Sequence, residues 1–408
     1  MCKKKNLNIS EDSNLESEMS DSDVSMSNDS ESEETSEVEV EVENTTQETV
    51  DEEEEPEDEV ISAIKRECER KNDHPPMIQC DDFVTDISFH PFNDLLAVAT
   101  IVGDVLFYEY SQEGNSLKCT LELHTKACRD IEFNHDGNIL FSTSKDKSIM
   151  LNDTNTQELI RFYDNAHDEP IYCLTVIDEN LFATGDDDGL IKLWDLRQNG
   201  DTPIYKTRKN EDYISDMVTN ESHQFLLCSS GDGSLTTIDL TKRCIFMQSD
   251  EINDELTCLG LFRSETKLLA GSTKGKLYFY NWNEFGFHSD AFPGTKAAIN
   301  ALIPITENIV VTASEDGNLR ATYLFPHRHL GVVGQHDMSV ENLDICNNGT
   351  FIASTGHNNE IKFWNIQYFE TVEKVNHKIN KNERKKEMNK NLPSSKIKDT
   401  SDFFSDLA

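Results

Sequence analysis

The chain has 408 residues and a formal net charge of −40, from 77 acidic and 37 basic side chains. That length suits one large domain with tails, and residues 74–373, with 46 acidic and 21 basic residues, are acidic enough to argue against broad binding of that body to phosphate backbones. No apolar run approaches the ~18 residues a membrane span needs, the opening MCKKKNLNIS lacks the apolar core of a secretory signal, and the ten cysteines include no Cys-x-x-Cys pair, so the sequence reads as an intracellular, reduced, zinc-free chain with no membrane partner.

Residues 1–60 hold 23 acidic and 3 basic residues and no aromatic one. Such a segment cannot bury enough apolar surface to offset its ordering entropy, so residues 1–73 read as an acidic disordered segment, a solvating bristle or a lure for basic proteins. Ser20 and Ser30 stand before acidic residues as acid-directed kinases prefer. Residues 61–73 suit a short helix that Pro75-Pro76 ends.

From residue 83 the chain is periodic. The turn pairs are Val102-Gly103, Asp146-Lys147, Asp188-Gly189, Asp232-Gly233, Lys274-Gly275, Asp316-Gly317 and Asn358-Asn359, spaced by 44, 42, 44, 42, 42 and 42 residues. Five residues after each pair lies a Trp-Asp position, and Trp194-Asp195 keeps both letters. Each unit carries β-rich runs around the turn, and a period near 42 fits a four-stranded propeller blade. The expected fold is therefore all-β: a seven-bladed WD-repeat β-propeller over 74–373, with the acidic segment before it and a basic tail at 374–408. In blade one the runs are expected at 84–89, 95–100, 104–110 and 117–121. Ring closure needs a strand from the other terminus, and either Met77–Cys80 or a segment after Trp364 is eligible.

The third unit, HDEPIYCLTVIDENLFATGDDDGLIKLWD at 167–195, is the fullest. His167, Thr184, Asp188 and Trp194 fit a hydrogen-bonded tetrad that staples the blade, a structural role rather than catalysis or metal binding. Asn152 stands for the Trp in the second unit and Asn358 for the Asp in the seventh, so those tetrads should be incomplete. The third residues of the inner strands, among them Asp86, Asp130 and Asp216, should cluster at the channel mouth, next to Arg129 and Tyr172. These five form a candidate site for a basic peptide, with hydrogen bonding inside each blade as the alternative use of the aspartates. Charge reversal of Asp130 and Asp216 should then abolish partner recovery without unfolding the blades. No phosphate-cradling Gly-rich loop, Gly-x-Ser-x-Gly elbow or metal-spaced His/Cys group occurs, so neither an enzyme nor a cofactor is expected.

Several stretches carry a specific resemblance. VTDISFHPFNDLLAVAT and GDVLFYEY in blade one, HTKACRDIEF with SKDKSI in blade two, DENLFATGDDDGLIKLWD in blade three and NWNEFGFHSDAF at 281–292 resemble the WD repeat-containing protein 55 family. PITEN, SEDGNLRA, GQH and STGHNNEIKFW continue the likeness, and DFFSDL at 402–407 resembles the family's ending. The resemblance covers about residues 80–373. It implies a nuclear, largely nucleolar protein acting in ribosomal RNA production and ribosome assembly, with assembly factors or ribosomal proteins as partners, as a monomer within larger complexes. Other uses of such propellers remain open: substrate receptor of a ubiquitin ligase, or histone-binding chromatin protein.

Residues 374–398 reverse the sign of the chain, with nine basic and two acidic residues. This tail reads as a nuclear import signal, an RNA-touching arm or a solvated end, and it is the one expected point of RNA contact. Beyond it Phe403, Phe404 and Leu407, flanked by Asp402 and Asp406, read as a short docking motif or as a cluster that packs on the propeller's side.

Overall fold

The computed structural model describes residues 74–369, and these form seven four-stranded antiparallel sheets. Blade one comprises Val84–Phe89, Leu95–Thr100, Asp104–Tyr110 and Asn115–Glu122, so the expected strands are present and the outer one is longer than predicted. The six further blades follow in chain order, each with its inner strand first. Burial peaks at the second strand of each blade and falls toward the outer one, while inner strands such as Cys128–Phe133 and Val340–Ile345 are only partly buried along the channel. The second strands Leu95–Thr100, Phe225–Ser230 and Ile309–Ser314 are buried at every residue and consist of apolar, Ser and Thr side chains. The outer strand Cys244–Gln248 exposes every other residue. A strand covered on both faces reads as a continuous apolar run, whereas one covered on a single face alternates.

The predicted turn pairs lie at the hairpins between second and third strands. Gly189 has φ +77°, and a Cβ there would stand 2.5 Å from the carbonyl oxygen of Asn210. Lys147 (φ 75°) and Asn359 (φ 63°) hold the same left-handed conformation without glycine.

The ring closes through the N-terminal side. Ile78–Gln79 pairs with Glu360–Asn365 as the fourth strand of blade seven, Ile78 opposite Ile361, and Cys80 N–H adds a bond to Asn359 O at 3.0 Å. Packing across that seam is aromatic: Phe89 and Tyr110 of blade one meet Phe363 of blade seven, with Tyr110 and Phe363 centroids 6.0 Å apart. The unusual connection at 281–292 places a fully buried Phe285 between Trp282 and Phe225 of the preceding blade.

Blade three carries a continuous relay. Trp194 Nε1 donates to Thr184 Oγ1 at 2.9 Å, Thr184 Oγ1 meets His167 Nε2 at 2.7 Å, and His167 Nδ1 meets a carboxylate at 2.8 Å. That carboxylate belongs to Asp186, not to Asp188 as the spacing suggested. Asp186 ends the second strand with its side chain inward, and its other oxygen accepts from the N–H groups of Asp188 and Leu190. Asp188 sits in the turn itself and pairs with Arg208 at the surface. In blade two His124 bonds Ser142 and Ser148, and Asn152 leaves its Oδ1 without a partner. In blade seven Trp364 and His336 share Ser354, while His336 Nδ1 and Asn358 Oδ1 are unpartnered. Asn210 takes the histidine's place in blade four, bonding Ser234 and Thr236.

Burial lowers the pKa of His167, and that of His336 to about 4. A histidine kept neutral by the fold contributes stability above its unfolded pKa of about 6.5, and this is lost as pH falls toward the folded value. Relative to a His336→Gln variant, the wild type should therefore lose stability as pH drops from 7 to 4, read from urea midpoints. A pH-independent difference would refute a neutral His336. Trp194→Phe, which removes one donor to Thr184, should cost about 1–2 kcal/mol at pH 7.

Candidate functional site

Each inner strand breaks register with the second strand near its second residue, a bulge repeated in all seven blades. A bulge re-aims side chains at a sheet rim. Here the re-aimed residues include Thr85, Arg129, Tyr172, Thr257, Asn300 and Glu341, and all six line the mouth of one central channel of ≈ 820 Å³. Asp86, Asp130 and Asp216 line it too, so all five of the channel residues singled out by sequence come together. The turn residue Asp187 lies on this face, 2.5 Å from Arg129 Nη1. Phe403 and Phe404 lie outside the described residues.

The aspartates bond within their own blade, as the alternative expected, and across to the next one as well: Asp216 Oδ1 accepts from Met217 N–H of its own strand at 2.7 Å. Asp86 Oδ2 accepts from Ile131 N–H at 2.7 Å, Asp130 Oδ2 from Leu174 N–H at 2.6 Å and Asp216 Oδ2 from Leu259 N–H at 2.7 Å. In each case the donor is the inner strand of the next blade. Two residues that sequence reasoning missed do the same: Glu132 holds Val176 N–H at 2.8 Å, and Asp344 holds Phe89 N–H at 2.6 Å. The signal was available, since both stand two residues beyond a channel-facing position and strand side chains repeat every second residue. The bulge residues reach the next blade's carbonyls: Thr85 donates to Cys128 O, Arg129 to Ile171 O, Thr257 to Ile299 O and Asn300 to Val340 O.

These carboxyls are surrounded by protein, and loss of hydration raises their pKa values. Asp130 is pushed up to about 6, and Asp216 and Asp344 to about 7. Burial and the neighbouring Asp130 carboxylate raise Asp86 well above the usual range, and burial does the same to Glu132. The rim is different. Tyr172 is 39% exposed, its ring centroid 4.8 Å from that of Tyr213, with the Arg129 guanidinium 5.4 Å from the Tyr172 centroid. Glu341 is half-buried and pairs with His357 at 3.3 Å. The mouth thus offers aromatic and polar surface above a carboxyl-lined shaft. Among the described residues no group of three or more His, Cys, Asp or Glu side chains is arranged to hold a metal ion.

Comparison with known proteins gives a consistent picture. A family model described as WDR55 matches residues 75–369. The WD repeat-containing protein 55 homolog of Aedes aegypti is 51% identical over 357 residues, covering 88% of this chain and 75% of that protein. The homolog of Drosophila melanogaster is 47% identical over 356 residues, covering 87% and 71%. A chain in a crystal structure of the mitotic checkpoint complex superposes with a TM-score of 0.65 at 16% identity, covering 73% of this chain and 93% of that one, a likeness of fold alone.

A carboxyl whose folded pKa is raised contributes stability below its unfolded pKa of about 4, and that contribution is lost as pH rises through the folded value. Relative to Asp216→Asn, the wild type should therefore lose about 1 kcal/mol or more between pH 4.5 and 8, measured by urea unfolding. An invariant difference would show that Asp216 ionises normally.

Proposed function

Because the chain belongs to the WDR55 family, and WD-repeat propellers work mainly as platforms for contacts between proteins, we propose that it is a non-catalytic nucleolar scaffold in ribosomal RNA production and ribosome assembly. The nucleolar and ribosomal part of this reading rests on the family resemblance. The binding part rests on one observation: a half-exposed tyrosine pair at the rim of an acidic channel whose lining cation, Arg129, is already tied to Asp187 and Ile171 O. Tyr and Arg are enriched at interface hot spots, and such a mouth suits a basic segment of an assembly factor or ribosomal protein.

The inter-blade bonds of Asp130 and Asp216 change how this is tested. Reversing either charge removes an acceptor from a neighbouring blade, so lost recovery of a partner would report a damaged fold. The rim residues Tyr172 and Glu341 are the informative ones. Tyr172→Ala with Glu341→Lys should lower partner recovery from nuclear extract at least about fivefold while the unfolding midpoint stays near the wild-type value. Unchanged recovery would move the interface away from the mouth. For the assembly role, the tagged protein should sediment with precursor ribosomal particles and leave them after ribonuclease. Confinement to light fractions free of precursor RNA would count against stable particle association, and ligase subunits or histones in those fractions would favour the other two uses.

A further inference from the structure

Blade two has an outer half unlike the others. Its third strand, Ile149–Asp153, carries Asn152 where blades three and seven carry Trp194 and Trp364. Its outer strand, Leu159–Tyr163, places Phe162 opposite Met150 and Leu159 opposite Asn152. Leu159, Ile160 and Phe162 are 52%, 51% and 42% exposed, and no other strand among the described residues carries three large apolar side chains so open to solvent. The outer strand of blade three, Tyr205–Arg208, exposes Lys206 and Arg208 instead. Natural proteins usually blunt an outer edge with charge, and an apolar edge strand is a template for another segment.

The chain contains a matching occupant. Of all residues outside the described span, Phe403 and Phe404 are the only aromatic ones, and Leu407 follows within the same short motif. The described chain ends at Phe369, packed among blades six and seven, and blade one alone separates blade seven from blade two around the ring. The connection 370–401 has 32 residues, a reach of about 100 Å when extended. We propose that residues 402–407 dock in cis on the outer strand of blade two, with Phe403 and Phe404 covering Leu159, Ile160 and Phe162 and the flanking Asp402 and Asp406 left in water. This surface is separate from the channel mouth, so the contact leaves the mouth open, and its standing does not depend on which partner the mouth takes.

The test uses the full chain. Hydrogen exchange of the amides of residues 159–163 should quicken roughly fivefold in a Phe403→Ala, Phe404→Ala double variant, and equally in Ile160→Lys. Ile160 is 51% exposed and Phe403 and Phe404 lie outside the seven blades' strands, so folding is expected to persist, and exchange in blades four to six serves as the control. Unchanged exchange at 159–163 overturns the proposal. So does protection at 159–163 that varies with protein concentration, which would make a second copy the occupant, and so does a change confined to the exposed Phe246 and Phe287.

Discussion

The inner strand of every blade is an edge strand, and the whole ring depends on how that edge is satisfied. Its channel-facing N–H and C=O groups have no fifth strand to pair with, and leaving buried backbone groups unpaired is costly. This protein answers with side chains from the preceding blade. Asp86, Asp130, Glu132, Asp216 and Asp344 accept from N–H groups, while Thr85, Arg129, Thr257 and Asn300 donate to carbonyls. The junction between blades three and four relies on a weaker contact, Cys173 Sγ to Ile214 O at 3.3 Å. A short aspartate bridges the gap because neighbouring strands approach closely at the axis. Farther out the blades splay, and bulk takes over: Trp194 of blade three packs on Tyr163 of blade two, and Phe363 of blade seven on Tyr110 of blade one. The raised carboxyl pKa values are the electrostatic cost of making this joint in a place poor in water.

That joint also explains the character of the mouth. Carboxyl residues gather in blades one, two, four and seven, whereas blades five and six present Cys258 and Ala301 at the equivalent positions. The aromatic pair lies on blades three and four. The mouth is therefore uneven: carboxyl and aromatic residues on blades seven and one to four, and the neutral polar Thr257 and Asn300 on blades five and six. Residues that look like ligands for a basic peptide are first of all the hoop of the barrel, and the half-exposed rim above them is where recognition can vary without cost to the ring.

Much of this was legible in the sequence because its period is local. Turn pairs 42 or 44 residues apart located all seven blades, and the residues of the channel followed from counting along each inner strand. What escaped was non-local or decided by parity. The partner of Asp130 is an N–H group 44 residues downstream, and no local pattern announces it. Three consecutive aspartates at 186–188 each suit a histidine partner chemically; only the end of the strand determines that Asp186 points inward and Asp188 outward. The closing strand is two residues long, too short to show any alternation.

Blade seven has a consequence for how the chain is made. Ile78 must find Ile361, so a strand that leaves the ribosome early waits for nearly the whole domain before it has a partner. Six blades, each local in its pairing, have all their strands before that happens, and slow non-local closure comes last. Until then the nascent propeller is an open arc with two bare faces, that of blade one and that of blade six. Chaperone demand, and the damage done by a premature stop, should concentrate in that interval, because a chain that ends before Glu360 carries six blades' worth of structure and no way to join its ends.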